Sequence, residues 1–317
     1  MIKLSALGDF VLAFPAFERI RAAHPAAAIT LLTTPPFETL ATSSPFFDKV
    51  ETDGRPAGPA TWLALVLRLR AARYDRVYDL QTNDRTNLCF QALRPFPPAW
   101  SGTAAGCALP DRNLARMEMH TLERQAGQLE AAGIWPDAPT RPLSAPPPDI
   151  SWILAKAPKP RVAASPRPVA LLVPGGAAHR PEKRWPIGHY ARLAKGLQAA
   201  GLDVVIVGGP QESALAHAIQ RQAPRARDLT GRTDFSQIAV QGARAAVAVG
   251  NDTGPVHLIA AAGAPTIALF SAASDPALCG PRGHVTVFQA PDLAEVTVES
   301  VLAAALSLAA PPPSSPA

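Results

Sequence analysis

The clearest structural signal in this chain of 317 residues is the stretch 246-AVAVGNDTGPVHLIAAA-262. In it, a polar, glycine-containing loop joins a short apolar run, Ala246–Val249, to a helical pattern, Pro255–Ala262. An apolar run followed at once by a helix is typical of a β-α-β unit, in which helices link parallel strands. The same alternation predicts further strands at Val169–Val173, Val204–Val207, Thr266–Phe270 and Val285–Gln289, and helices at Ile187–Ala200, Glu212–Gln222, Phe235–Ala243 and Leu293–Ala309.

The N-terminal half shows the same alternation. It predicts strands at Ile2–Ala6, Ile29–Thr33, Lys49–Thr52 and Arg76–Leu80, and helices at Ala16–Ala23 and Ala60–Ala72. The pattern lapses between Pro136 and Pro168, where ten of the 35 prolines lie, as is typical of a linker. We therefore predict two doubly wound α/β domains, since about 150 residues per domain is usual. The predicted parts are a first domain 1–150, a linker 151–168, a second domain 169–292, a last helix 293–309 and a disordered tail 310–317.

Composition excludes several classes of protein. The chain is 48% hydrophobic and 17% charged, which is too apolar for a disordered protein, and three scattered cysteines cannot form a disulfide scaffold or a zinc knuckle. The net charge is +5, of which +4 falls in residues 1–168. This bias is too weak for a nucleic-acid-binding protein; it suits an anionic membrane surface, although ordinary surface arginine explains it equally well. Neither a signal peptide nor a membrane span is predicted, so a cytoplasmic protein is expected.

Ligands of doubly wound sheets bind beyond the carboxyl ends of the strands, so the loops there are candidate sites. In the stretch quoted above, Thr253 or Asp252 can cap the helix, and Gly254 lets the backbone approach a ligand closely. Free N–H groups and the helix dipole then favour an anion such as a diphosphate. The alternative is a well-capped core helix with His257 satisfied inside the protein.

Three further loops carry candidate residues. After Val169–Val173 come Gly175 and Gly176 and then the cations Lys183 and Arg184, which can neutralise a phosphate. The alternative there is a solvated basic loop. Glu212 follows the strand Val204–Val207 and can accept hydrogen bonds from ribose hydroxyls, unless it only serves the first turn of a helix.

The fourth loop lies near the N-terminus, where Asp9 follows Gly8 at the end of the first predicted strand. Asp9 can act as a general base, or simply cap a helix. Several motifs are absent from the sequence: G-x-G-x-x-G, a P-loop, G-x-S-x-G and D-x-D. Without D-x-D no metal site is predicted, so protein cations and helix N-termini must stabilise a departing diphosphate.

These loops, in this order, resemble the heptosyltransferase family (glycosyltransferase family nine). The most specific segments are Ser5-Ala6-Leu7-Gly8-Asp9 and Asn251-Asp252-Thr253-Gly254-Pro255-Val256-His257. Supporting segments are Tyr78-Asp79-Leu80-Gln81, Lys183-Arg184-Trp185-Pro186 and the spaced residues His120, Arg124, Gln128 and Gly133.

The resemblance implies a GT-B fold: two Rossmann-like domains facing a central cleft, with the last helix often crossing back to the first domain. It implies an inverting, metal-independent transfer of heptose from ADP-heptose to Kdo-lipid A or a core heptose of lipopolysaccharide, without a cofactor. An enzyme with this lipid-linked, phosphorylated acceptor is expected in the cytoplasm, at the inner face of the inner membrane.

The resemblance also implies roles for individual residues. Asp9 matches the general base, and Lys183 matches a phosphate-binding lysine. The implied donor-binding residues are Gly175, Gly176, Lys183, Arg184, Glu212, Asp252, Thr253, Gly254 and His257, and the acceptor-side candidates are Ser5, Gly8, Asp79, Gln81, His120 and Arg124. This chain lacks the threonines that some members have before the lysine, so phosphate contacts there would come from backbone N–H groups, His179 or Arg180. The open alternatives are another nucleotide sugar, a protein acceptor, or a non-catalytic nucleotide-sugar-binding protein.

Overall fold

The structure is a computed structural model that describes residues 1–156, 166–177 and 179–310. The chain divides into two compact units, Met1–Pro148 and Asp149–Ala317. Part of the predicted linker is helical, because Ser151–Lys156 forms a helix that packs within the second unit. The rest of the linker up to residue 165, and the predicted tail from residue 311, lie outside the described residues.

The first unit is an α/β layer structure. Its helices are α1 (Leu7–Val11), α2 (Phe14–Ala23), α3 (Glu38–Ser43), α4 (Pro59–Ala71), α5 (Asp84–Ala92) and α6 (Thr121–Ala131), and its strands are β1 (Thr30–Leu32), β2 (Lys49–Glu51), β3 (Arg76–Tyr78), β4 (Ala99–Gly102) and β5 (Leu109–Pro110). The pairs β1–β2, β3–β4 and β4–β5 are all parallel.

The predicted first strand, Ile2–Ala6, is much shorter in the structure. Only Ile2 forms parallel bridges, to Leu32 on one side and Asp79 on the other, so it lies between β1 and β3. The backbone leaves the sheet at Leu4, because the Leu4 and Ser5 amides donate to Gln81 Oε1 at 2.8 and 3.3 Å instead of to a neighbouring strand. The chain then turns into α1 at the carboxyl edge of the sheet.

The second unit holds the larger sheet. Its helices are α7 (Ser151–Lys156), α8 (Ile187–Ala199), α9 (Ser213–Gln220), α10 (Phe235–Arg244), α11 (Gly254–Ala261), α12 (Pro276–Cys279) and α13 (Val298–Ala309), and its strands are β6 (Val169–Val173), β7 (Asp203–Ile206), β8 (Arg227–Asp228), β9 (Val247–Asn251), β10 (Thr266–Phe270) and β11 (Val285–Gln289).

All six strands of this sheet are parallel, in the order β11-β10-β9-β6-β7-β8. From β6 the chain progresses outward through β7 and β8, and then returns to β9 on the other side of β6. The order therefore reverses between β6 and β9, which is the switch point of a dinucleotide-binding fold. This geometry places the loops after β6 and β9 side by side at the carboxyl edge.

The last helix, α13, belongs to the core of the second unit. It packs on α8, and its Val301 and Ala305 are fully buried among the apolar residues there. The segment before it, predicted as part of one helix from residue 293, is instead a 3₁₀ turn, Leu293–Glu295. Within the described ranges of the chain, no helix is both long enough and apolar enough to span a membrane.

Candidate functional site

The two loops at the switch point are tied together by Asn251, the last residue of β9, whose side chain is fully buried. Its Nδ2 donates to the carbonyls of Pro174 (3.0 Å) and Gly175 (2.9 Å). Its Oδ1 accepts from the Trp185 amide and the Tyr190 hydroxyl, both at 3.0 Å. All four hydrogen-bonding positions of this amide, two donors and two lone pairs, are used, so Asn251 fixes both ends of the loop 174–185.

Asp252 follows at once and forms the charged centre of the site. Its Oδ2 accepts from Lys183 Nζ and from Ser274 Oγ, each at 2.7 Å, and its Oδ1 lies 3.9 Å from His257 Nε2. Burial would raise the pKa of this carboxyl, but His257, Lys183 and Ser274 together outweigh burial and hold it well below its ordinary value. Asp252 is therefore a fixed anion that holds Lys183 beside the start of α11.

The N-terminus of α11 lacks the side-chain cap that the sequence predicts. Thr253 occupies the cap position, yet its side chain accepts no hydrogen bond from the helix, and Asp252 is engaged by Lys183 and Ser274 instead. The buried Thr253 Oγ1 has no partner in the part of the chain that the structure describes, and neither has His257 Nδ1. The Thr253 and Gly254 amides likewise donate to no described acceptor. The end of the helix is thus left open to an external anion.

Glu212 lies on the neighbouring side of the same loops. It ends a 3₁₀ turn, Pro210–Glu212, and occupies the N-cap position of α9 without a side-chain cap bond. Its negative charge therefore suits the dipole of α9, as the alternative expects, while its carboxylate stays available to a ligand. Only 6% of Glu212 is exposed, and its carboxylate accepts no hydrogen bond from any described residue. The side chain packs directly against Gly175, where an added Cβ would lie 2.6 Å from Glu212 Cγ. A glycine at 175 is therefore required to keep Glu212 in place.

The basic loop before α8 is folded rather than free in solvent. The Arg184 guanidinium donates to the Gly176 carbonyl, and an added Cβ on Gly176 would sit 3.4 Å from Arg184 Cγ. Arg180 donates to the Ala273 carbonyl at 2.9 Å and pairs with Glu182 at 3.1 Å. The solvated alternative for this loop is therefore wrong for Arg184 and for Lys183, whereas His179 is exposed.

A pocket of about 690 Å³ opens beyond β8, next along the same edge of the sheet. Its lining residues are Leu229, Gly231, Arg232, Thr233, Asp234 and Gln237. The Thr230 hydroxyl donates to Ser213 Oγ at 3.2 Å, which links this region to the segment that follows Glu212. Sequence reasoning missed the pocket, because β8 is only two residues long.

In the first unit, the predicted base Asp9 lies in the first turn of α1, and Gly8 is buried beside it. Asp9 Oδ2 accepts from the Ala6 amide at 3.2 Å. The N-cap of α1 is Ala6 and Asp9 is its third residue, so the carboxylate supports the turn but is not the N-cap that the alternative expects. Its side chain is only half-buried, and Oδ1 makes no hydrogen bond within the described residues. The Arg55 guanidinium donates to the Ser5 hydroxyl at the same turn.

Asp79 and Gln81 hold this turn from beneath. Asp79 is fully buried, its Oδ1 accepts from the Gln81 and Thr82 amides at 3.0 and 2.9 Å, and burial raises its pKa. Gln81 Oε1 binds the Leu4 and Ser5 amides, as described above. Both acceptor-side candidates therefore position the backbone around Asp9 in this structure.

His120 and Arg124 lie at the start of α6. His120 is buried, caps the helix by accepting from the Leu122 amide at 3.2 Å, and lies 3.2 Å from Glu123. Arg124 donates to Thr121 at 3.3 Å. A buried lysine, Lys3, lies among these charges: burial lowers its pKa, while Asp9 acts to raise it and Arg124 to lower it further.

Several of these residues were not singled out by sequence reasoning: Asn251, Ser274, Lys3 and Arg55. Asn251 stands inside the quoted motif, and its position at a strand end is a signal that could have been used. Ser274 and Arg55 lie in loops that carry no motif, so the sequence gives no signal for them. Within the described ranges, no three His, Cys, Asp or Glu side chains are grouped as metal ligands would be.

Comparison with known proteins agrees with this geometry. Residues 62–293 match the profile of glycosyltransferase family 9 (heptosyltransferase), which is most of the chain. The chain therefore belongs to glycosyltransferase family 9. It is 31% identical to lipopolysaccharide heptosyltransferase 2 of Escherichia coli (strain K12) over 229 residues, 68% of this chain and 65% of that protein. The match thus spans just under two thirds of that relative's length.

Two solved structures from E. coli are similar over nearly the whole chain. One is ADP-heptose lipopolysaccharide heptosyltransferase II, with a TM-score of 0.76, 23% identity and 97% coverage of both chains. The other is heptosyltransferase WaaC with ADP, with a TM-score of 0.75, 21% identity, and coverage of 97% of this chain and 98% of that one. At these identities the likeness establishes the GT-B fold.

Proposed function

We propose that this chain is an inverting glycosyltransferase that transfers heptose from ADP-heptose to the inner core of lipopolysaccharide, on Kdo-lipid A or a core heptose. The observation that carries the proposal is the open N-terminus of α11, with the unpartnered Thr253 hydroxyl beside the Lys183–Asp252 pair. Family membership supports the reaction, and the similar E. coli structure with ADP supports the nucleotide.

The donor diphosphate binds at the start of α11 in this proposal. The amides of Thr253 and Gly254, the Thr253 hydroxyl and the helix dipole face its negative charge, and Lys183 supplies a cation. Glu212 has a free carboxylate and accepts from the ribose hydroxyls, which is the role of an acidic residue after the second strand in dinucleotide folds.

The acceptor hydroxyl is activated by Asp9, on the first unit. Its free Oδ1 takes the hydroxyl proton as the oxygen forms a bond to the anomeric carbon of the heptose. The bond from that carbon to the β-phosphate oxygen breaks on the opposite face, so the configuration inverts and ADP leaves with its electron pair. Lys183, Arg184 and the α11 amides stabilise the charge that develops on ADP.

This account assigns no metal or cofactor to the reaction, since the sequence lacks D-x-D and cations of the chain face the diphosphate. We predict that turnover persists after EDTA treatment and is not raised by added Mg²⁺ or Mn²⁺. A reaction that stops with EDTA and recovers with one of these ions would show that the protein cations are insufficient.

The decisive experiment is transfer from ADP-heptose to two lipid acceptors, Kdo-lipid A and the same lipid carrying one core heptose, measured by mass spectrometry. Asp9→Asn keeps an oxygen that can accept from the Ala6 amide but removes the base, so we expect kcat to fall about 100-fold or more. Its affinity for ADP should stay unchanged. Wild-type turnover in Asp9→Asn would refute the base assignment.

The alternatives give different outcomes in the same assays. A family member with another donor would be stabilised by UDP- or GDP-sugars more than by ADP-heptose in a thermal-shift panel, because a bound ligand raises stability by mass action. A protein acceptor would be glycosylated in place of the lipid. A non-catalytic binding protein would bind ADP-heptose and transfer nothing.

A further inference from the structure

The first unit carries an unusual surface on α4 and the loop after α5. Leu63, Leu67 and Arg70 follow one another at i, i+4 and i+7 along one face of α4. The buried apolar residues of this helix lie on an adjoining face. Leu63 and Leu67 are each 57% exposed, and Phe96 in the loop is 90% exposed. Leu67 and Arg70 are neighbours one turn apart on α4, and Arg70 contacts the loop that carries Phe96. Neighbouring exposed apolar side chains mark interaction sites on soluble domains.

Three arginines border these apolar side chains. Arg70 donates to the carbonyls of Ala92 and Arg94 at 2.7 and 2.9 Å, and so fastens the loop to α4. Arg94 stacks 5.7 Å over the Phe90 ring and donates to Ala105. The exposed Arg73 side chain makes no hydrogen bond or ion pair with a described residue.

The arginines share one pocket of about 410 Å³ that is free of carboxylates. Its lining residues are Leu69, Arg70, Arg73, Tyr74, Leu93, Arg94, Pro95, Phe96, Pro97 and Pro98. A guanidinium has five N–H donors, and the bonds above leave several of them unused. The nearest acid in sequence is Asp75, which lines an adjoining cavity together with Arg76. The pocket is therefore a net cationic site, and the exposed Phe96 forms part of its wall.

We propose that this surface, Leu63, Leu67, Arg70, Arg73, Arg94 and Phe96, docks the protein on an anionic lipid bilayer. Phosphate headgroups occupy the arginine pocket, and the leucines and Phe96 enter the layer below the headgroups. The positive charge of the arginines favours anionic lipid over neutral lipid. The exposed apolar side chains favour a bilayer over a dissolved phosphate, because only a bilayer can bury them. This docking proposal rests on the proposed function: a lipid-linked acceptor lies in a membrane, so an enzyme that uses it must reach the membrane surface.

The test is co-sedimentation of the full chain with vesicles of phosphatidylcholine, alone or with about one third phosphatidylglycerol, at about 0.1 M salt. Wild type should bind the mixed vesicles and not pure phosphatidylcholine. Arg73→Glu changes the charge by two, so its partition coefficient should fall about 25-fold at roughly fivefold per charge. Leu63→Ser/Leu67→Ser should lower it about tenfold or more. The salt dependence should weaken in Arg73→Glu.

Matched controls lie on the second unit, where Arg192→Glu makes the same charge change on an exposed helix position and Val287→Ser removes a partly exposed apolar side chain. Both should bind within about twofold of wild type. Circular dichroism and unfolding midpoints establish that all variants are folded. Equal binding to both kinds of vesicle, or wild-type binding by the α4 variants, would overturn the proposal.

Two further outcomes separate other sources of binding. Competition by dissolved glycerophosphate that abolishes vesicle binding would show an ion pocket alone, and retention on an acidic protein in place of vesicles would show a protein partner. The assay contains no sugar donor, so it is independent of catalysis. Vesicle binding without any heptose transfer would refute the proposed function only, and transfer to a soluble acceptor without vesicle binding would refute the docking surface only.

Discussion

Replacing Asn251 should destabilise the donor loops strongly, because its side chain holds both of them. Its side chain makes four hydrogen bonds between 2.9 and 3.0 Å, and it is fully buried. At about 1 kcal/mol for each bond, Asn251→Ala should destabilise the second unit by about 4 kcal/mol. The carbonyls of Pro174 and Gly175 and the Trp185 amide lose a partner, so the loop 174–185 should loosen.

A graded series separates this effect from simple cavity formation. Tyr190→Phe removes only one of the four bonds, and the Tyr190 hydroxyl also reaches the Val173 carbonyl at 3.3 Å, so the expected loss is about 1 kcal/mol. In the double variant the two losses should overlap by about 1 kcal/mol, because they share one bond. Asn113→Ala, which removes one helix-cap bond in the first unit, is the control.

Hydrogen exchange measured by mass spectrometry resolves the two units, since each peptide reports the free energy of its own opening. Peptides from β6, β9 and α8 should exchange faster in Asn251→Ala, while those from the first unit keep their wild-type rates. A loss below about 1.5 kcal/mol, or a loss shared equally by the first unit, would refute the assignment of Asn251 as the residue that fixes both loops.

Three other predictions concern the same site. Asp252→Asn should lower stability at pH 7 by about 3 kcal/mol, because it breaks a largely buried ion pair. The folded-state pKa of Asp252 is lowered, so this carboxylate stabilises the fold above its unfolded pKa of about 3.9, and that stabilisation is lost as the pH falls further. The free energies of unfolding of wild type and variant, measured by urea titration, should therefore converge in acid. A difference in stability that does not change with pH would contradict this. Gly175→Ala should raise the KM for ADP-heptose about tenfold, because the added Cβ displaces Glu212. Gly188→Ala is the control and should leave the KM unchanged, since its added Cβ meets nothing within 4 Å. Equal KM values for both variants in steady-state kinetics would show that Glu212 is not part of the donor site. Lys183→Met should weaken ADP binding and lower kcat together, as single-turnover rates would report, and an effect on neither would place Lys183 outside the site.

The sequence predicts the second unit better than the first, for a physical reason. Strands such as Thr266–Phe270 are continuous apolar runs because both of their faces are buried, and the predicted bounds of three of them match the structure. In the first unit β1, β2 and β3 are three residues each, too short for periodicity to set their ends. Helices α5 and α6 were missed, although in α6 the buried Leu122, Ala126 and Leu129 recur at helical spacing, a signal that could have been used.

The sequence predicts individual site residues only where they lie in a motif-bearing loop after a predicted strand. Position after a strand identifies Asp252, Thr253 and Lys183 as candidates, and the structure brings them together at α11. Sequence alone cannot tell that Asp252 binds Lys183 in place of capping the helix, because the partner is 69 residues away and depends on strand order. Asp79 and Gln81 illustrate the same limit, since their contacts to the turn before Asp9 arise only when β3 lies beside Ile2.

If the start of α11 is open to the donor diphosphate, the Thr253 hydroxyl should contact ADP, and calorimetric titration of ADP into Thr253→Val measures that contact. Valine has nearly the shape of threonine but lacks the hydroxyl, whose oxygen is buried without a partner among the described residues. The account predicts that the unbound variant is as stable as wild type or slightly more stable, while ADP binds about tenfold more weakly. ADP affinity equal to that of wild type would contradict the claim that Thr253 contacts the donor.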